Sequence, residues 1–169
     1  MDIETALLGV RQLRDSIRVQ NPPPAEGAPS EDEPVIYFSL VRNSRGYLER
    51  LVHQINGSYS NGWYDASAVM IRRLVETLII EVFEKYGMAS KIQNPAGDFF
   101  YLRDLIGVLV TERGWNLSRN AKAALPRLKD VGDMSAHSRR FIAQRQDIDR
   151  LMSDLRVVVQ ELMTLAQLK

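Results

Sequence analysis

The stretch Lys129–Arg140 (KDVGDMSAHSRR) holds the polar side chains of this chain that are best suited to chemistry. It contains His137, one of only two histidines, and the neighbouring cations Arg139 and Arg140. An imidazole that titrates near neutral pH can move a proton to or from a ribose hydroxyl, and a nearby cation can stabilise the charge of a phosphorane. This pattern is compatible with a metal-independent ribonuclease that uses His137 with Lys129 or Arg139.

The spacing of Lys129 and His137 separates the two side chains within one helix. They are eight residues apart, which is about 80° around an ideal helix axis and two turns along it. A site that uses both groups forms more easily across a two-fold axis between subunits. We therefore expect a homodimer.

A second interpretation makes the same residues structural. A long helix earlier in the chain carries Arg72, Arg73 and Glu76, and their spacing lets either arginine pair with the glutamate. Alternatively, Glu76 faces inward and holds His137 as a hydrogen-bonded pair in the core. Gly132 would then allow close packing of two helices. Both alternatives remain open at this point.

Composition excludes several classes of site. The chain has no cysteine, so it can have neither a disulfide nor a thiolate nucleophile or metal ligand. Its two histidines, His53 and His137, are far apart in sequence, which does not favour a transition-metal site. The sequence contains no Gly-rich phosphate loop and no Gly-x-Ser-x-Gly motif. We therefore expect no cofactor and no metal.

The N-terminal residues do not have the pattern of a secretion signal, and no window is apolar enough to cross a bilayer. We therefore expect a cytoplasmic protein that does not enter the membrane.

Charge is distributed unevenly along the chain, although the formal net charge is only +1. Residues 1–35 have a balance of −4, whereas residues 113–150 have a balance of +5. A basic patch around the histidine would favour contact with RNA phosphates. Besides Lys129 and Arg139, the residues expected to bind nucleic acid are Arg119, Lys122, Arg127 and Arg140.

Apolar residues recur at helical spacing along almost the whole chain, and no strand pattern is present. Residues 1–20 form an amphipathic helix that either packs on its own domain or docks on a partner. Residues 21–34 form a proline-rich acidic linker, which we expect to be extended and mobile. Residues 35–169 form one all-α bundle, so the chain has five or six helices in total.

Within the bundle, helices are predicted over 35–56, 63–86 and 99–112, with a turn at 57–62 and a loop at 87–98. Ser118 is suited to cap the next helix, which should kink or restart at Pro126. Asp147 is expected to cap a last helix that runs to the C-terminus.

Two motifs resemble a known family. They are Arg72-Arg73-x-x-Glu76 on a long helix and Leu128-Lys129-Asp130-x-Gly132-Asp133-x-Ser135-Ala136-His137, followed by a closing amphipathic helix. Over residues 36–168 the chain resembles the HEPN-like prokaryotic domain of unknown function that carries a Gly-Asn/Asp-x-x-Ala-His box. The resemblance implies an all-α bundle, frequent dimerisation, and a superfamily with many metal-independent ribonucleases of toxin or phage-defence systems.

This chain departs from the ribonuclease pattern at one point. In those enzymes an arginine and a polar residue lie four to six positions before the histidine, whereas here Lys129 and Asp130 take that place at a longer spacing. Lysine cannot copy the forked contact of a guanidinium with phosphate. If the box is not catalytic, Asp133 and Gly132 have structural roles.

Three functions are consistent with the sequence. The first is a dimeric interaction module of a bacterial defence or stress system, non-catalytic or weakly catalytic, that contacts RNA. The second is a metal-independent endoribonuclease using His137 with a nearby cation. The third is a structural adaptor that recruits a protein partner through its N-terminal helix.

Overall fold

The computed structural model describes residues 33–168, together with the single position Gly9. Six α-helices follow one another in residues 33–168: α1 Gly46–Ser60, α2 Tyr64–Lys85, α3 Leu102–Thr111, α4 Arg119–His137, α5 Arg145–Asp149 and α6 Met152–Leu165. There are also two 3-10 helices: Phe38–Leu40 precedes α1, and Ala89–Ile92 lies between α2 and α3. These residues contain no strand, only an isolated bridge between Gln93 and Phe99. The predicted all-α bundle is confirmed.

The predicted N-terminal helix over 1–20 and the linker residues 21–32 lie outside the described residues. The last two linker residues, Glu33 and Pro34, are described and are held against α6. Arg156 donates through Nη1 to Glu33 Oε1 at 2.6 Å and through Nη2 to the Pro34 carbonyl at 2.5 Å, and its Nε reaches the Val35 carbonyl at 3.1 Å. Val35 is fully buried and belongs to the hydrophobic core.

Helix α2 is the central element of the bundle. It packs against α1, α4 and α6, and its 22 residues span about 33 Å. Its apolar side chains lie on more than one face, and most of them are fully buried: Leu74, Val75, Leu78, Ile79, Val82 and Phe83. Helix α2 is therefore enclosed by its neighbours, because the burial of several faces needs neighbours on each of them.

Helix α1 begins later than predicted. The prediction started the helix at residue 35, but Asn43 has a φ of +64°, which a right-handed helix cannot accommodate. The helix starts at Gly46 and continues to Ser60, through most of the predicted turn. The chain reverses only at Gly62, which has a φ of +76°.

Two predicted features of the C-terminal half are also corrected. Helix α4 continues through Pro126, so the predicted restart there does not occur. Because proline has no N–H, the Lys122 carbonyl lacks its usual hydrogen bond within the helix. Pro126 and Lys122 are both exposed on the solvent-facing side of α4. Asp147 lies in the short helix α5, where its carboxylate accepts from the Gln144 N–H at 2.9 Å, and α6 starts five residues later. Ser118 caps α4 as predicted, since its hydroxyl accepts from the Ala121 N–H at 3.1 Å.

Helices α2 and α4 approach each other closely at Gly132. A Cβ atom added to Gly132 would lie 2.5 Å from the Cβ of Arg72 and 3.0 Å from the carbonyl oxygen of Ala68. Beyond the end of α4, the Ala143 N–H donates to Asp65 near the start of α2 at 2.9 Å. The two helices are therefore antiparallel, and the predicted role of Gly132 in close helix packing is confirmed.

No helix in the described part of the chain combines the length and the apolar character that crossing a membrane requires.

Replacing Gly132 by alanine should destabilise the bundle. The added methyl group overlaps with backbone and Cβ atoms of α2, so the helices must separate, at an expected cost of about 1–3 kcal/mol in the free energy of unfolding. The measurement is urea unfolding followed by circular dichroism.

The matched control is Gly107→Ala, in the middle of α3, where an added Cβ has no atom within 4 Å. That change should be neutral or stabilising by up to about 1 kcal/mol through helix propensity. Equal effects of the two substitutions would show that the close approach at Gly132 has no energetic role.

Candidate functional site

Five charged side chains meet where α2 crosses α4, and we call them the Asp133 network: Arg72, Glu76, Lys129, Asp130 and Asp133. Arg72 Nε donates to Asp133 Oδ1 at 2.6 Å, and its Nη1 donates to Glu76 Oε2 at 3.1 Å. Lys129 Nζ lies 2.7 Å from the other oxygen of Asp133 and 3.1 Å from Asp130 Oδ1. Every cation of the network is thus neutralised inside it.

These contacts favour the charged forms of two members of the network. Burial alone would raise the pKa of Asp133, but hydrogen bonds from Lys129 and Arg72 outweigh it and hold that pKa below its usual value. Hydrogen bonds to Asp133 and Asp130 raise the pKa of Lys129. Lys129 therefore stays protonated and bound to carboxylates, which suits a structural role better than the proposed catalytic one.

His137 does not pair with Glu76. Because α2 and α4 are antiparallel, His137 lies beyond Gly132 in the direction of the start of α2. Glu76 lies in the opposite direction, one turn beyond Arg72 toward the end of α2. The two side chains start about 13 Å apart along the helix axes. Glu76 instead accepts from Arg72, which confirms the predicted pairing along the helix, and Arg73 is exposed and makes no ion pair within residues 33–168.

The end of α4 presents an exposed basic segment, His137–Arg140. His137 is the last residue of the helix, and its ring has no hydrogen-bond partner among the described residues. The Ser138 hydroxyl accepts from the Phe141 N–H at 3.2 Å and orders the turn that carries Arg139 and Arg140, both exposed. Lys129 lies two turns away, about 12 Å along the axis, so one chain does not bring it to His137.

The residues predicted to bind nucleic acid do not form one continuous patch. Arg119 and Lys122 are exposed near the start of α4, roughly 22–27 Å from its end. Arg127, between them and His137, pairs with Asp154 of α6 at 2.6 Å. Arg140 belongs to the basic segment beyond the helix. The predicted basic face is therefore divided between the two ends of α4.

Sequence reasoning did not identify the carboxylate of Glu81, which is buried in the middle of the bundle. Only 9% of this residue is exposed, and burial raises its pKa although Arg45, 3.6 Å away, lowers it. The hydroxyl of Tyr47 donates to Glu81 Oε1. The position of Glu81 on the apolar side of α2 was the available signal in the sequence. Its partners, Tyr47 on α1 and Arg45 just before α1, are more than 30 residues away in sequence.

A second polar cluster, also missed, joins α1 to α5. The hydroxyl of the buried Tyr59 donates to Asp149 Oδ1 and accepts from Arg145 Nε at 3.1 Å. Burial and the contact with Asp149 raise the pKa of Tyr59 to about 12. This tyrosine is therefore a neutral hydrogen-bonding group that fixes α5 on α1.

The described residues include no group of three or more His, Asp or Glu side chains that could hold a metal ion. In comparisons with known proteins, no family model, no curated protein and no solved structure matches this chain. The resemblance to the HEPN-like family therefore stays a prediction.

The Asp133 network should stabilise the bundle in a pH-dependent way. Because its folded-state pKa is depressed, Asp133 contributes stability above its unfolded pKa of about 3.9, and this contribution is lost as the pH falls through the lower folded value. Asp133→Asn should therefore cost about 1–2 kcal/mol at pH 7 and progressively less below pH ~4. Urea unfolding of both proteins across this pH range tests this.

The control is Asp104→Asn, because Asp104 pairs only with the neighbouring exposed Arg103 and should matter little. Combining Asp133→Asn with Arg72→Ala should cost less than the sum of the two single changes. Additive costs would mean that the two side chains do not stabilise each other.

Proposed function

We propose that this chain is a homodimeric, non-catalytic interaction module that contacts RNA through the basic segment His137–Arg140. The observation that carries the proposal is the division between paired and unpaired cations around α4. Lys129 and Arg127 are bound to carboxylates, whereas Arg139 and Arg140 are exposed and have no ion-pair partner among the described residues. Unpaired guanidinium groups are suited to phosphate contacts. A role in a bacterial defence or stress system follows from the family resemblance and is part of the same proposal.

The non-catalytic part of the proposal is supported by the surroundings of His137. A general base needs a third group that orients its ring, and no described side chain bonds to His137. The cation that would stabilise a phosphorane, Lys129, is neutralised by Asp133 and Asp130. His137 then serves as a surface contact.

Dimerisation is supported by apolar side chains exposed at the same end of the bundle. Trp63, Met134 and Ile142 are 61%, 40% and 70% exposed. Trp63 and Ile142 flank the hydrogen bond between Asp65 and Ala143, so they lie close to the end of α4. Large exposed apolar groups of this kind are typical of interfaces. A symmetric contact there would bring two basic segments together.

The RNA proposal predicts that Arg139→Ala with Arg140→Ala weakens binding of a labelled mixed-sequence RNA in EDTA. Each lost phosphate contact should reduce the slope of log K against log salt by about 0.7 for single strands. The control Arg103→Ala removes an exposed arginine on α3 and should leave the slope unchanged. A wild type that binds no RNA at low salt contradicts the proposal.

The same assay separates a binding module from a ribonuclease. Intact RNA after incubation with the wild type agrees with the proposal. Cleavage by the wild type but not by a folded His137→Ala variant would instead make His137 catalytic.

The dimer proposal predicts that Ile142→Ser shifts the chain toward monomer in light scattering after size-exclusion chromatography. The control is Tyr101→Ser, which removes an 81% exposed aromatic side chain at the start of α3. A monomeric wild type, or an equal shift by both variants, contradicts the proposed interface.

A further inference from the structure

A cleft of about 440 Å³ lies between α1 and α2, away from the basic segment. Its lining residues are Tyr47, Arg50, Leu51 and Gln54 of α1 and Arg73 and Thr77 of α2. The four α1 residues follow the spacing of one helix face, and the two α2 residues are one turn apart. Two helices therefore fix the backbone positions from which these side chains extend.

The two arginines of the cleft lack ion-pair partners. Arg50 and Arg73 are both exposed, and neither forms an ion pair within residues 33–168. The nearest acidic neighbours in sequence are already engaged: Glu49 accepts from the Asn43 N–H at 2.8 Å, and Glu76 accepts from Arg72. Two unneutralised guanidinium groups beside one cleft repel each other and favour an anion between them.

Two other clefts of the bundle differ in this respect. One of about 350 Å³ contains Arg145 and Arg156, which pair with Asp149 and Glu33. Another, of about 650 Å³ beside α6, has one charged lining residue, Glu161, which accepts from both the N–H and the hydroxyl of Ser118. The charges in these two clefts are satisfied by the protein itself.

Tyr47 gives the cleft between α1 and α2 an aromatic wall in a fixed position. Its hydroxyl donates to the buried Glu81, so the ring is held from its inner end while 37% of the residue stays exposed. Because burying a carboxylate is costly unless it is hydrogen-bonded, Glu81 favours the position of Tyr47 in which this hydrogen bond is made. A fixed, partly exposed aromatic ring is a surface on which a planar ring can stack.

We propose that this cleft binds a nucleotide. Arg50 and Arg73 would hold the phosphate, the ring of Tyr47 would stack on the base, and the Gln54 amide offers both a donor and an acceptor to the base edge. The site uses α1 and α2 and is separate from the proposed RNA-contacting segment, so either proposal can fail without the other.

The test is equilibrium dialysis of the full chain with AMP, ribose 5-phosphate and adenosine. AMP should bind more tightly than the other two, because only AMP supplies both the phosphate and the base. Arg50→Ala and Arg73→Ala should each weaken AMP binding about tenfold or more, the usual effect of losing a hydrogen bond to a charged group. Tyr47→Leu should weaken AMP binding but leave ribose 5-phosphate unaffected.

The control is Arg103→Ala, which removes an exposed cation outside the cleft and should not change AMP affinity. Because Tyr47→Leu removes the hydrogen bond to the buried Glu81 carboxylate and leaves it only the contact with Arg45, the arginine variants decide the outcome if that protein fails to fold. The proposal is overturned if AMP does not bind at millimolar concentration, if Arg103→Ala weakens binding as much as Arg73→Ala does, or if ribose 5-phosphate binds as tightly as AMP.

Discussion

The close approach of α4 to α2 at Gly132 is the constraint on which the polar structure of this bundle depends. Because Gly132 has a hydrogen atom in place of a side chain, the backbone of α4 lies against Ala68 and Arg72. This brings Asp133 within 2.6 Å of the Arg72 guanidinium, and Lys129 approaches the same carboxylate from one turn earlier. A wider separation of the helices would break the contact with Arg72 and leave several half-buried charges without partners.

The small net charge of +1 conceals a division between cations that hold the bundle together and cations that face solvent. Arg72, Arg127 and Arg156 are each used to fix one element on another. Arg139 and Arg140 have no such task, and the cost of keeping two adjacent arginines exposed is small because water solvates them. Their contribution is to the surface potential and not to the fold, which is where charge acts on binding partners.

Periodicity and local chemistry were sufficient to predict much of the fold. Three features could be predicted because they depend on neighbours in sequence or on simple packing: the apolar pattern of α2, the cap at Ser118 and the close helix packing at Gly132. The pairing of His137 with Glu76 could not be judged in this way, because it depends on the relative direction of α2 and α4. The burial of Glu81 was missed for a related reason: its partner Tyr47 belongs to another helix, and only the packed bundle brings them together.

Arg156 has a consequence for the start of the bundle. Its single guanidinium binds the side chain of Glu33 and the carbonyls of Pro34 and Val35, and it lies over the ring of Tyr37 at 4.1 Å. One side chain therefore fixes three consecutive residues at the start of the described chain on its last helix. Removing it would take away the contacts of Glu33 and Pro34 with α6, whereas Val35 would still be held by its burial in the core.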